Sequence, residues 1–491
     1  MSTTQIDEKA MAFVNNGTKN LLINGKWIPS QSGKTIKVIN PATEKVLTHI
    51  AAAQKEDVDN AVKAAHTAFQ NPEWSAMTPV QREALLIKIA IHIEKNAEEL
   101  AVLDTLDNGV PLTTSRHSVQ GAADTFRYYA GWPTKIYGST QPSDVGSFVY
   151  TKREPLGVCG AIVPWNGPFL FAAWKIAPAL ATANTVVIKP SELTPLSTLR
   201  LGELLIEAGV PDGVVNIVPG TGKEAGEAIT KHPDVAKISF TGSTAVGKHI
   251  LRTTADTMKK VTLELGGKSP FVIFKDANIE KAIQMAILGF TGNSGQACTA
   301  GTRVLVQEDI YDEVSEKITA IVQNIAIGNG MEETTQMGPI TTKAQYDKIL
   351  YYFEIAKEDG ATITTGGKAV EGKGWFVPPT VLKNVKNDMR VAREEIFGPV
   401  VSLISFKDED EAVAIANDTQ YGLASSVWSN NLNTAHRVAG KIQAGTVWVN
   451  TFFELNPINP FGGYKQSGLG KEHGKEAIDA YTNTKTVIVR Y

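Results

Sequence analysis

The chain has 491 residues, of which 43% are apolar and 20% charged, and its formal net charge at pH 7 is −3. This length exceeds one ordinary hydrophobic core, so we expect a globular protein of two or three domains. The near-neutral charge leaves no electrostatic footprint for nucleic acid or an anionic membrane, and neither is expected as a partner.

The chain contains two cysteines, Cys159 and Cys298, which excludes a disulfide scaffold and favours a reducing, cytoplasmic location. Residues 1–20 are polar and lack the basic and apolar regions of a signal peptide. The most apolar stretch, residues 169–188, is interrupted by a lysine, a proline and an asparagine. It therefore predicts a buried helix and strand rather than a membrane span.

The N-terminal part predicts short strands at residues 21–28 and 35–39, a helix from Glu56, and a long helix that runs to Gly109. The long helix opens on Thr78-Pro79-Val80-Gln81, which supplies an N-cap threonine, a proline at the first helical position and the glutamine of a capping box.

Residues 158–265 alternate apolar strands with helices. Strands are predicted at 158–163, 185–189, 214–218, 237–240 and 261–265, and helices at 169–182, 196–208, 223–232 and from residue 244. Five apolar strands with helices between them predict a parallel sheet covered on both faces, with ligands at the carboxyl ends of its strands.

A second alternating unit follows Gly266 and predicts a second α/β domain. Its strands are predicted at 271–274, 303–306, 400–406, 426–428 and 446–450. Residues 485–490 are rich in β-branched side chains and predict an edge strand without an evident partner in its own domain. Pairing across a subunit interface would satisfy that strand.

The segment Phe240-Thr241-Gly242-Ser243 leads from a predicted strand into a helix. A glycine there lets backbone amides approach a ligand, and the helix N-terminus favours an anion such as a pyrophosphate. The pattern is not G-x-G-x-x-G, so a purely structural turn explains it as well. Gly267-Lys268-Ser269 ends like a Walker A loop, but Thr262 stands where its first glycine is required.

The segment Lys189-Pro190-Ser191-Glu192 closes another strand at the same edge of the sheet. Its lysine and its acid could hydrogen-bond the hydroxyls of an adenosine ribose. An acid at that place would repel a 2′-phosphate, which favours NAD over NADP. A surface ion pair is the alternative.

Cys298 lies in the small-residue turn Gly295-Gln296-Ala297-Cys298-Thr299, which leaves space for an electrophile, whereas Cys159 lies in an apolar strand and is expected to be buried filler. A cysteine–histidine hydrolase stays open, because sequence distance does not exclude contact with His232 or His249. The scattered histidines and cysteines show no metal-ligand spacing, so no metal site is expected.

Two further strand ends carry candidate groups. Glu264 follows apolar residues at a strand's carboxyl end, where burial would raise its pKa and make it a general base. Asn166, in Pro164-Trp165-Asn166-Gly167, could donate to an oxyanion. Taken singly, a solvated acid and a turn-forming asparagine explain them as well.

Together these segments resemble the aldehyde dehydrogenase superfamily, in family order over nearly the whole chain. The segments are Pro164-Trp165-Asn166, Lys189-Pro190-Ser191-Glu192, Phe240-Thr241-Gly242-Ser243-Thr244, Leu263-Glu264-Leu265-Gly266-Gly267-Lys268, Gly295-Gln296-Ala297-Cys298, Glu394-Glu395-Ile396-Phe397-Gly398-Pro399 and Pro460-Phe461-Gly462-Gly463-Tyr464-Lys465-Gln466-Ser467-Gly468.

The resemblance implies an NAD-dependent enzyme in which Cys298 attacks the aldehyde and Asn166, with the cysteine amide, holds the oxyanion. Hydride passes to the nicotinamide, and Glu264 activates the water that hydrolyses the resulting thioester. Lys175 and Glu472 are implied as a proton relay. The implied cofactor contacts are Val163, Pro164, Trp165, Asn166, Lys189, Ser191, Glu192, Gly222, Phe240, Gly242, Ser243, Gly247, Leu265, Gly266, Glu395 and Phe397.

The fold class implied is α/β: two doubly wound parallel-sheet domains, a Rossmann-like cofactor domain and a catalytic domain, with a small β oligomerisation segment. The NAD-binding domain would comprise residues 1–131 and 154–266, and the catalytic domain residues 267–466. Residues 132–153 and 467–491 would form the oligomerisation segment of a homodimer or homotetramer.

The positions of the family's substrate tunnel predict a bulky, apolar or aromatic aldehyde, such as one of the phenylacetaldehyde type. Glycines replace the larger residues of many members, and the walls stay apolar. The positions are Gly121, Gly167, Leu170, Phe171, Trp174, Gly292, Ala297, Thr299, Phe453, Leu455 and Phe461. A betaine-type aldehyde held by cation–π contacts, a CoA-acylating enzyme and a non-catalytic family member are the alternatives.

Overall fold

A computed structural model describes residues 8–491, so the first seven residues of the N-terminal stretch without signal-peptide features lie outside the described residues. The α-helices are α1 (Glu8–Asn15), α2 (Lys55–Gln70), α3 (Pro72–Ser75), α4 (Pro79–Lys95), α5 (Ala97–Asn108), α6 (Leu112–Ala130), α7 (Pro168–Ala181), α8 (Leu196–Ala208), α9 (Glu227–Lys231), α10 (Thr244–Thr254), α11 (Ile279–Thr291), α12 (Tyr311–Val322), α13 (Lys343–Glu358), α14 (Arg390–Arg393), α15 (Glu409–Asn417), α16 (Leu432–Lys441) and α17 (Gly474–Ala480).

The β-strands form four sheets. They are β1 (Leu21–Ile23), β2 (Lys26–Ile28), β3 (Thr35–Ile39), β4 (Val46–Ala51), β5 (Thr140–Gln141), β6 (Ser147–Pro155), β7 (Val158–Ile162), β8 (Thr185–Lys189), β9 (Val215–Ile217), β10 (Val235–Thr241), β11 (Lys260–Glu264), β12 (Pro270–Ile273), β13 (Arg303–Gln307), β14 (Thr362–Thr365), β15 (Thr380–Lys383), β16 (Val400–Phe406), β17 (Ala424–Trp428), β18 (Thr446–Val449), β19 (Gly468–Leu469) and β20 (Thr482–Arg490).

The first large sheet has the strand order β19-β11-β10-β7-β8-β9-β1-β2. Its five central strands are parallel, as predicted, and every residue of β7 and β8 is buried. These strands carry almost only apolar or small residues, so both of their faces have to be shielded from water. The helices on either side of the sheet provide that cover. β1 and β19 add antiparallel edges.

The second large sheet has the order β14-β15-β16-β13-β12-β17-β18 and is parallel except for β14. The sequence predicted the five strands β12, β13, β16, β17 and β18 but missed β14 and β15. The segment 265–269, which follows β11 directly, links the two large sheets. The predicted fold class of two doubly wound sheets with a small β segment is confirmed by this arrangement and by the structural likeness given below.

Three local predictions were wrong. Residues 21–28 form a hairpin instead of one strand, because Asn24 and Gly25 take φ values of 52° and 72°, the left-handed pair of a tight hairpin turn. The predicted long helix divides at Asn96, whose φ of −115° and ψ of 23° are not helical. The predicted helix at 223–232 begins as a π-helical turn at Gly222–Gly226 before α9.

The small sheet has the order β20-β6-β5. β20 pairs antiparallel with β6 over nine residue pairs, from Thr482 opposite Pro155 to Arg490 opposite Ser147. The strand was expected to have no partner in its own domain, but one of its edges is satisfied within the chain by β6. Pairing of its other edge across a subunit interface stays a prediction. Across residues 8–491, no helix is both long and apolar enough to cross a membrane.

Candidate active site

A cavity of about 170 Å³ lies at the carboxyl ends of β7, β10 and β11, where parallel sheets bind their ligands. It brings together eleven residues that the sequence singled out with three that it did not. Its lining comprises Pro164, Trp165, Asn166, Thr241, Gly242, Ser243, Glu264, Leu265, Gly266, Cys298, Gln345, Lys348, Glu395 and Phe397. Of these, Thr241, Gln345 and Lys348 were missed.

Cys298 is presented by a turn in the left-handed region. Asn293, Ser294 and Gly295 have φ values of 50°, 53° and 70°. A Cβ on Gly295 would lie 2.1 Å from the carbonyl oxygen of Gly398, so no side chain fits there. Cys298 is half-buried as a residue and lines the cavity.

Asn166 is bonded to the same turn. Its side-chain Nδ2 donates to the carbonyl of Gln296 at 2.8 Å, and Asn293 Nδ2 donates to the carbonyl of Asn166 at 2.8 Å. These two bonds fix the loop after β7 against the cysteine turn. An amide nitrogen carries two N–H groups, so Asn166 keeps a second donor beside Cys298.

The environment of Cys298 disfavours the thiolate. Burial, followed by the nearby carboxylates of Glu395 and Glu264, raises the pKa of the Cys298 thiol to about 12. The backbone amides of Cys298 and Thr299 act in the opposite direction. The resting thiol is therefore protonated at neutral pH, and a base must accept its proton before the sulfur can act as a nucleophile.

Glu264 ends β11 and is 1% exposed. Neither of its carboxylate oxygens has a hydrogen-bond partner within residues 8–491. Burial, followed by repulsion from Glu472, raises the pKa of Glu264 well above its usual range, although Lys175 and Lys471 lower it. An acid without partners and with a raised pKa has the properties of a general base.

Lys175 and Glu472 form a buried ion pair next to Glu264. Lys175 Nζ also donates to Thr241 Oγ1 at 2.8 Å and to Ser239 Oγ at 3.2 Å, and Ser239 Oγ donates to Glu472 at 2.8 Å. These groups form a continuous polar cluster beneath the cavity, on the side where Glu264 lies.

A glycine pair, Gly266 and Gly267, brings the chain close to Glu395 and to the cysteine turn. A Cβ on Gly266 would lie 2.5 Å from a carboxylate oxygen of Glu395, and one on Gly267 would lie 2.2 Å from the carbonyl oxygen of Cys298. The Gly267 amide donates to Glu395 at 2.9 Å. Only glycine allows the chain, the acid and the cysteine turn to approach so closely.

The missed residues of α13 support the loop that carries Glu395 and Phe397. Gln345 Nε2 donates to the carbonyls of Ile396 and Phe397 at 2.8 and 2.9 Å, and Lys348 Nζ donates to the carbonyl of Glu395 at 2.8 Å. The Phe397 ring packs edge-on against Trp165, with 5.3 Å between ring centroids. No motif in α13 signalled these contacts.

The Gly242 turn leads into α10, as predicted. Ser243 caps this helix by accepting from the amide of Val246 at 3.4 Å, and Gly242 covers the Phe240 ring so closely that a Cβ would lie 2.5 Å from it. A Cβ on Gly247 would lie 2.6 Å from the Leu265 side chain. The first turn of α10 therefore stays close to Leu265, and Gly242 and Ser243, which precede this turn, line the cavity.

Other predicted cofactor contacts do not line the cavity and lie at or just after the ends of β7 and β8 and at the start of the π-helical turn. Lys189 Nζ is buried and donates to Glu192 at 3.1 Å and to the carbonyls of Pro190 and Gly220 at 2.8 and 2.7 Å. The Val163 amide donates to the carbonyl of Lys189. Ser191 is buried beside this group, and Gly222 begins the π-helical turn with no atom within 4 Å of a virtual Cβ.

Four of the eleven predicted tunnel positions are aromatic, and three of these aromatic residues lie together. Trp174 contacts Phe171 and Phe461, with ring centroids 4.9 and 5.4 Å away. Two of the three glycines are covered by neighbours, since virtual Cβ atoms on Gly121 and Gly167 would lie 3.3 Å from Leu170 and 2.9 Å from Phe171. The space that these glycines leave therefore depends on two movable side chains.

The other predicted tunnel residues lie at two places. Leu455 and Cys298 pack against the same apolar cluster as Trp174, whereas Phe453 is exposed. Ala297 and Thr299 flank the cysteine. Gly292 precedes its turn, and a Cβ on Gly292 would lie 3.6 Å from the Leu288 side chain.

In the part of the chain that the structure describes, no group of three His, Cys, Asp or Glu is arranged to hold a metal.

Two doubly wound sheets, which meet at a cavity with a cysteine turn on one side and a glycine turn before a helix on the other, define an α/β enzyme. The chain belongs to the aldehyde dehydrogenase family, whose sequence profile matches residues 27–487. An aldehyde dehydrogenase from Emericella nidulans is 47% identical over 471 residues, which cover 96% of this chain and 95% of the relative.

Solved structures agree with this assignment. An aldehyde dehydrogenase from Bacillus cereus, solved as its NAD⁺ complex, is 47% identical and has a TM-score of 0.98 over 100% of both chains. A betaine aldehyde dehydrogenase from Staphylococcus aureus, solved in complex with NAD⁺, is 40% identical and has a TM-score of 0.97 over 98% of this chain and 97% of the other.

Proposed function

We propose that this protein oxidises aldehydes to carboxylic acids with NAD, and that Cys298 is its covalent nucleophile. The observation that carries this proposal is the meeting of Cys298, Asn166 and the unpaired Glu264 at one cavity beside a glycine turn. Membership of the aldehyde dehydrogenase family supports the same reaction.

The cavity fits a dinucleotide on its own features. Gly266 and Glu395 line the cavity together, and Gly242 and Ser243 place the N-terminus of α10, where backbone amides favour a pyrophosphate, at its edge. Lys189 and Glu192 would bind the adenosine ribose, and Glu395 the nicotinamide ribose. When bound, NAD supplies the acceptor for the hydride that leaves the aldehyde carbon.

In the first half of the reaction, the Cys298 thiol loses its proton and the sulfur attacks the carbonyl carbon. Glu395 and Glu264 both lie near enough to raise the thiol pKa, and either is a candidate acceptor of that proton. The carbonyl oxygen gains the negative charge, which the side-chain N–H of Asn166 and the backbone N–H of Cys298 stabilise. Loss of hydride from carbon then leaves a thioester on the sulfur.

In the second half, Glu264 removes a proton from water, and the resulting hydroxide attacks the thioester. The carbon–sulfur bond breaks, the acid leaves and Cys298 is regenerated. If Glu264 has taken the thiol proton in the first half, it must give that proton up before it can accept one from water, and it must lose the second proton before the next turnover. The adjacent pair of Lys175 and Glu472, with its two hydroxyl partners, offers a route for that proton.

The test replaces the nucleophile. Cys298→Ala should abolish NADH production from every aldehyde while leaving the Kd for NAD, measured by calorimetry, within about threefold of the wild type, because only the sulfur is lost. Cys159→Ala is the matched control and should stay active, because that thiol is buried in β7. Activity in Cys298→Ala, or no activity of the wild type on a broad panel, would contradict the proposal and favour a non-catalytic family member.

Product analysis separates hydrolysis from acyl transfer. We expect the free acid with and without CoA, since Glu264 is present as the base for water. A CoA-dependent thioester product would favour the CoA-acylating alternative.

We further propose that the substrate is bulky and apolar or aromatic. The rings of Phe171, Trp174 and Phe461 supply an apolar wall close to the cluster on which Cys298 packs. The betaine-type alternative needs an acid to hold its cation. Glu454 is exposed and accepts from Thr451 Oγ1 at 2.6 Å, so it is already engaged near the chain's surface.

A substrate panel tests this part. The ratio kcat/KM should be at least about tenfold higher for phenylacetaldehyde and decanal than for acetaldehyde, because burial of each methylene contributes about 0.8 kcal/mol. Betaine aldehyde should be poor. A preference for acetaldehyde, or for betaine aldehyde, would contradict the apolar-tunnel proposal.

The division into an NAD-binding domain, a catalytic domain and an oligomerisation segment, with the boundaries given above, remains our proposal. So do a cytoplasmic location and a homodimeric or homotetrameric state. The exposed small sheet supports the last of these, since Ile488 and Val489 on β20 are 66% and 43% exposed.

A further inference from the structure

His473 is a buried histidine that the reaction described above does not use. Its backbone has φ 64° and ψ 173°, a region that residues other than glycine adopt only under strain. It follows Glu472 in the chain. The backbone amides of Glu472 and Phe461 each donate to the other residue's carbonyl at 2.7 Å, and these two hydrogen bonds hold Glu472 in place. The fold therefore keeps this side chain in a position that costs it conformational energy.

The ring of His473 lies against the proposed tunnel wall. Its centroid is 4.0 Å from that of Trp174 and 6.5 Å from that of Phe461. His473 is only 2% exposed. His473 directly follows Glu472, which acts on Glu264, and Glu264 in turn acts on the Cys298 thiol, so the histidine lies on the side of the site where these acids are.

One ring nitrogen of His473 is unsatisfied. Nε2 is buried and has no hydrogen-bond partner within residues 8–491. Burial lowers the pKa of His473 to about 4, although Glu472 and the backbone of Asn456 raise it, so the imidazole is neutral at neutral pH. A buried polar atom without a partner is costly, and such atoms in a native fold call for a ligand group.

We propose that His473 is a specificity-determining residue whose Nε2 hydrogen-bonds a hydroxyl group carried by the aldehyde substrate. A hydroxyl both donates and accepts, so it matches Nε2 in either tautomer of the neutral ring. The aromatic neighbours of the histidine suit the apolar body of such a substrate. The substrate class is then hydroxyl-bearing aromatic or aliphatic aldehydes, and this inference rests on the proposed function.

The test uses the full-length enzyme with NAD and three matched pairs of aldehydes: 4-hydroxyphenylacetaldehyde and phenylacetaldehyde, 4-hydroxybenzaldehyde and benzaldehyde, and 10-hydroxydecanal and decanal. The quantity compared is the ratio of kcat/KM within each pair, which cancels general losses of activity. His473→Phe keeps a ring against Trp174 and removes both nitrogens.

We expect the ratio to favour the hydroxylated member in at least one pair, and to fall about tenfold or more in His473→Phe, because a site built to pair a hydroxyl then loses its partner. His473→Asn should recover part of that ratio, since asparagine restores a donor and an acceptor and tolerates positive φ better than most residues. His473→Leu replaces His473→Phe if thermal unfolding shows that the latter does not fold.

Ratios that stay the same in the wild type and the nitrogen-free variant for all three pairs would overturn the role of His473. That result is distinguishable from failure of the proposed function, in which the wild type would oxidise neither member of any pair.

Discussion

At the scale of single residues, the neighbouring acids Glu472 and Glu264 have opposite surroundings. Glu472 is paired with the buried ammonium of Lys175, whereas Glu264 has no partner among residues 8–491 and is disfavoured as a carboxylate by burial and by Glu472. Environments that separate the protonation behaviour of adjacent groups mark acid–base assignments. We therefore propose that the unpaired acid, Glu264, is the one that gains and loses a proton during turnover.

Replacing that acid should separate the two halves of the reaction. We expect Glu264→Gln to release about one NADH per active site in a burst and then to turn over at least about a hundredfold more slowly, because Glu395 remains to accept the thiol proton and only hydrolysis strictly requires Glu264. Stopped-flow absorbance measures both phases. Glu316→Gln, an exposed acid on α12, is the control and should keep the wild-type rate.

The same residue predicts a pH dependence. Since burial raises the pKa of Glu264, the basic carboxylate gains population as the pH rises, and the hydrolytic rate should rise with pH until that raised pKa is passed. An unchanged steady-state rate in Glu264→Gln, or a rate that falls as the pH rises from 6 to 8, would show that another group activates the water.

At this scale, residues in short motifs could be predicted and residues brought in by packing could not. Cys298, Glu264 and Asn166 follow strands or sit in turns whose local pattern is legible. Gln345 and Lys348 act from the middle of α13 through backbone carbonyls of a distant loop, so no local pattern marks them. His473 was missed for the same reason, since its neighbours Trp174 and Phe461 are remote in sequence.

At the scale of elements, apolar runs bounded by glycine or proline were predicted well. The structure gives β8, β16 and α8 the predicted bounds. The division between α4 and α5 was not predicted, because both halves continue one helical pattern. The reason is tertiary: α5 is buried along its last ten residues, whereas α4 keeps an exposed face, so the chain has to change direction at Asn96.

The segment after β8 carries a prediction on cofactor choice. Glu192 has a carboxylate oxygen 3.1 Å from Lys189 Nζ. In the ribose site that we propose there, its negative charge would repel a 2′-phosphate. We expect Glu192→Gln to raise kcat/KM for NADP relative to NAD by about tenfold, since the like-charge repulsion is removed while the side-chain size is kept. Steady-state kinetics with both cofactors measures the ratio.

The control for cofactor choice is Glu207→Gln, which removes an exposed acid from the far end of α8 and should leave the ratio of the two cofactors unchanged. Equal efficiency of the wild-type enzyme with NAD and NADP would contradict the role given to Glu192.

At the scale of the whole molecule, the alternation of strands and helices was sufficient to predict two wound sheets, because parallel strands need covered faces. It was not sufficient to place β20, whose partner β6 lies more than three hundred residues earlier. Strand pairing at such separation is decided by the finished fold, which brings the end of α17 to the start of the small sheet.

The small sheet carries a prediction on assembly. The wild-type protein should be a dimer or tetramer by light scattering, and Ile488→Lys with Val489→Lys should reduce its mass, because charges on this exposed strand oppose packing of a second sheet. Lys485→Thr, also exposed on β20, is the control and should keep the wild-type mass. A monomeric wild type, or an unchanged mass in the double variant, would contradict the interface.

The late position of these partners has a consequence for the order in which the protein matures on the ribosome. Three contacts join early parts of the chain to its end. The ribosome makes Lys175 long before its ion-pair partner Glu472, Trp174 long before His473, which packs on it, and β6 long before β20, which pairs with it. Both large sheets can form from the preceding chain, since domains fold in the order of their synthesis. The buried lysine gains its counter-ion only when the last segment docks, so a nascent chain that already has its cysteine turn still lacks a finished site.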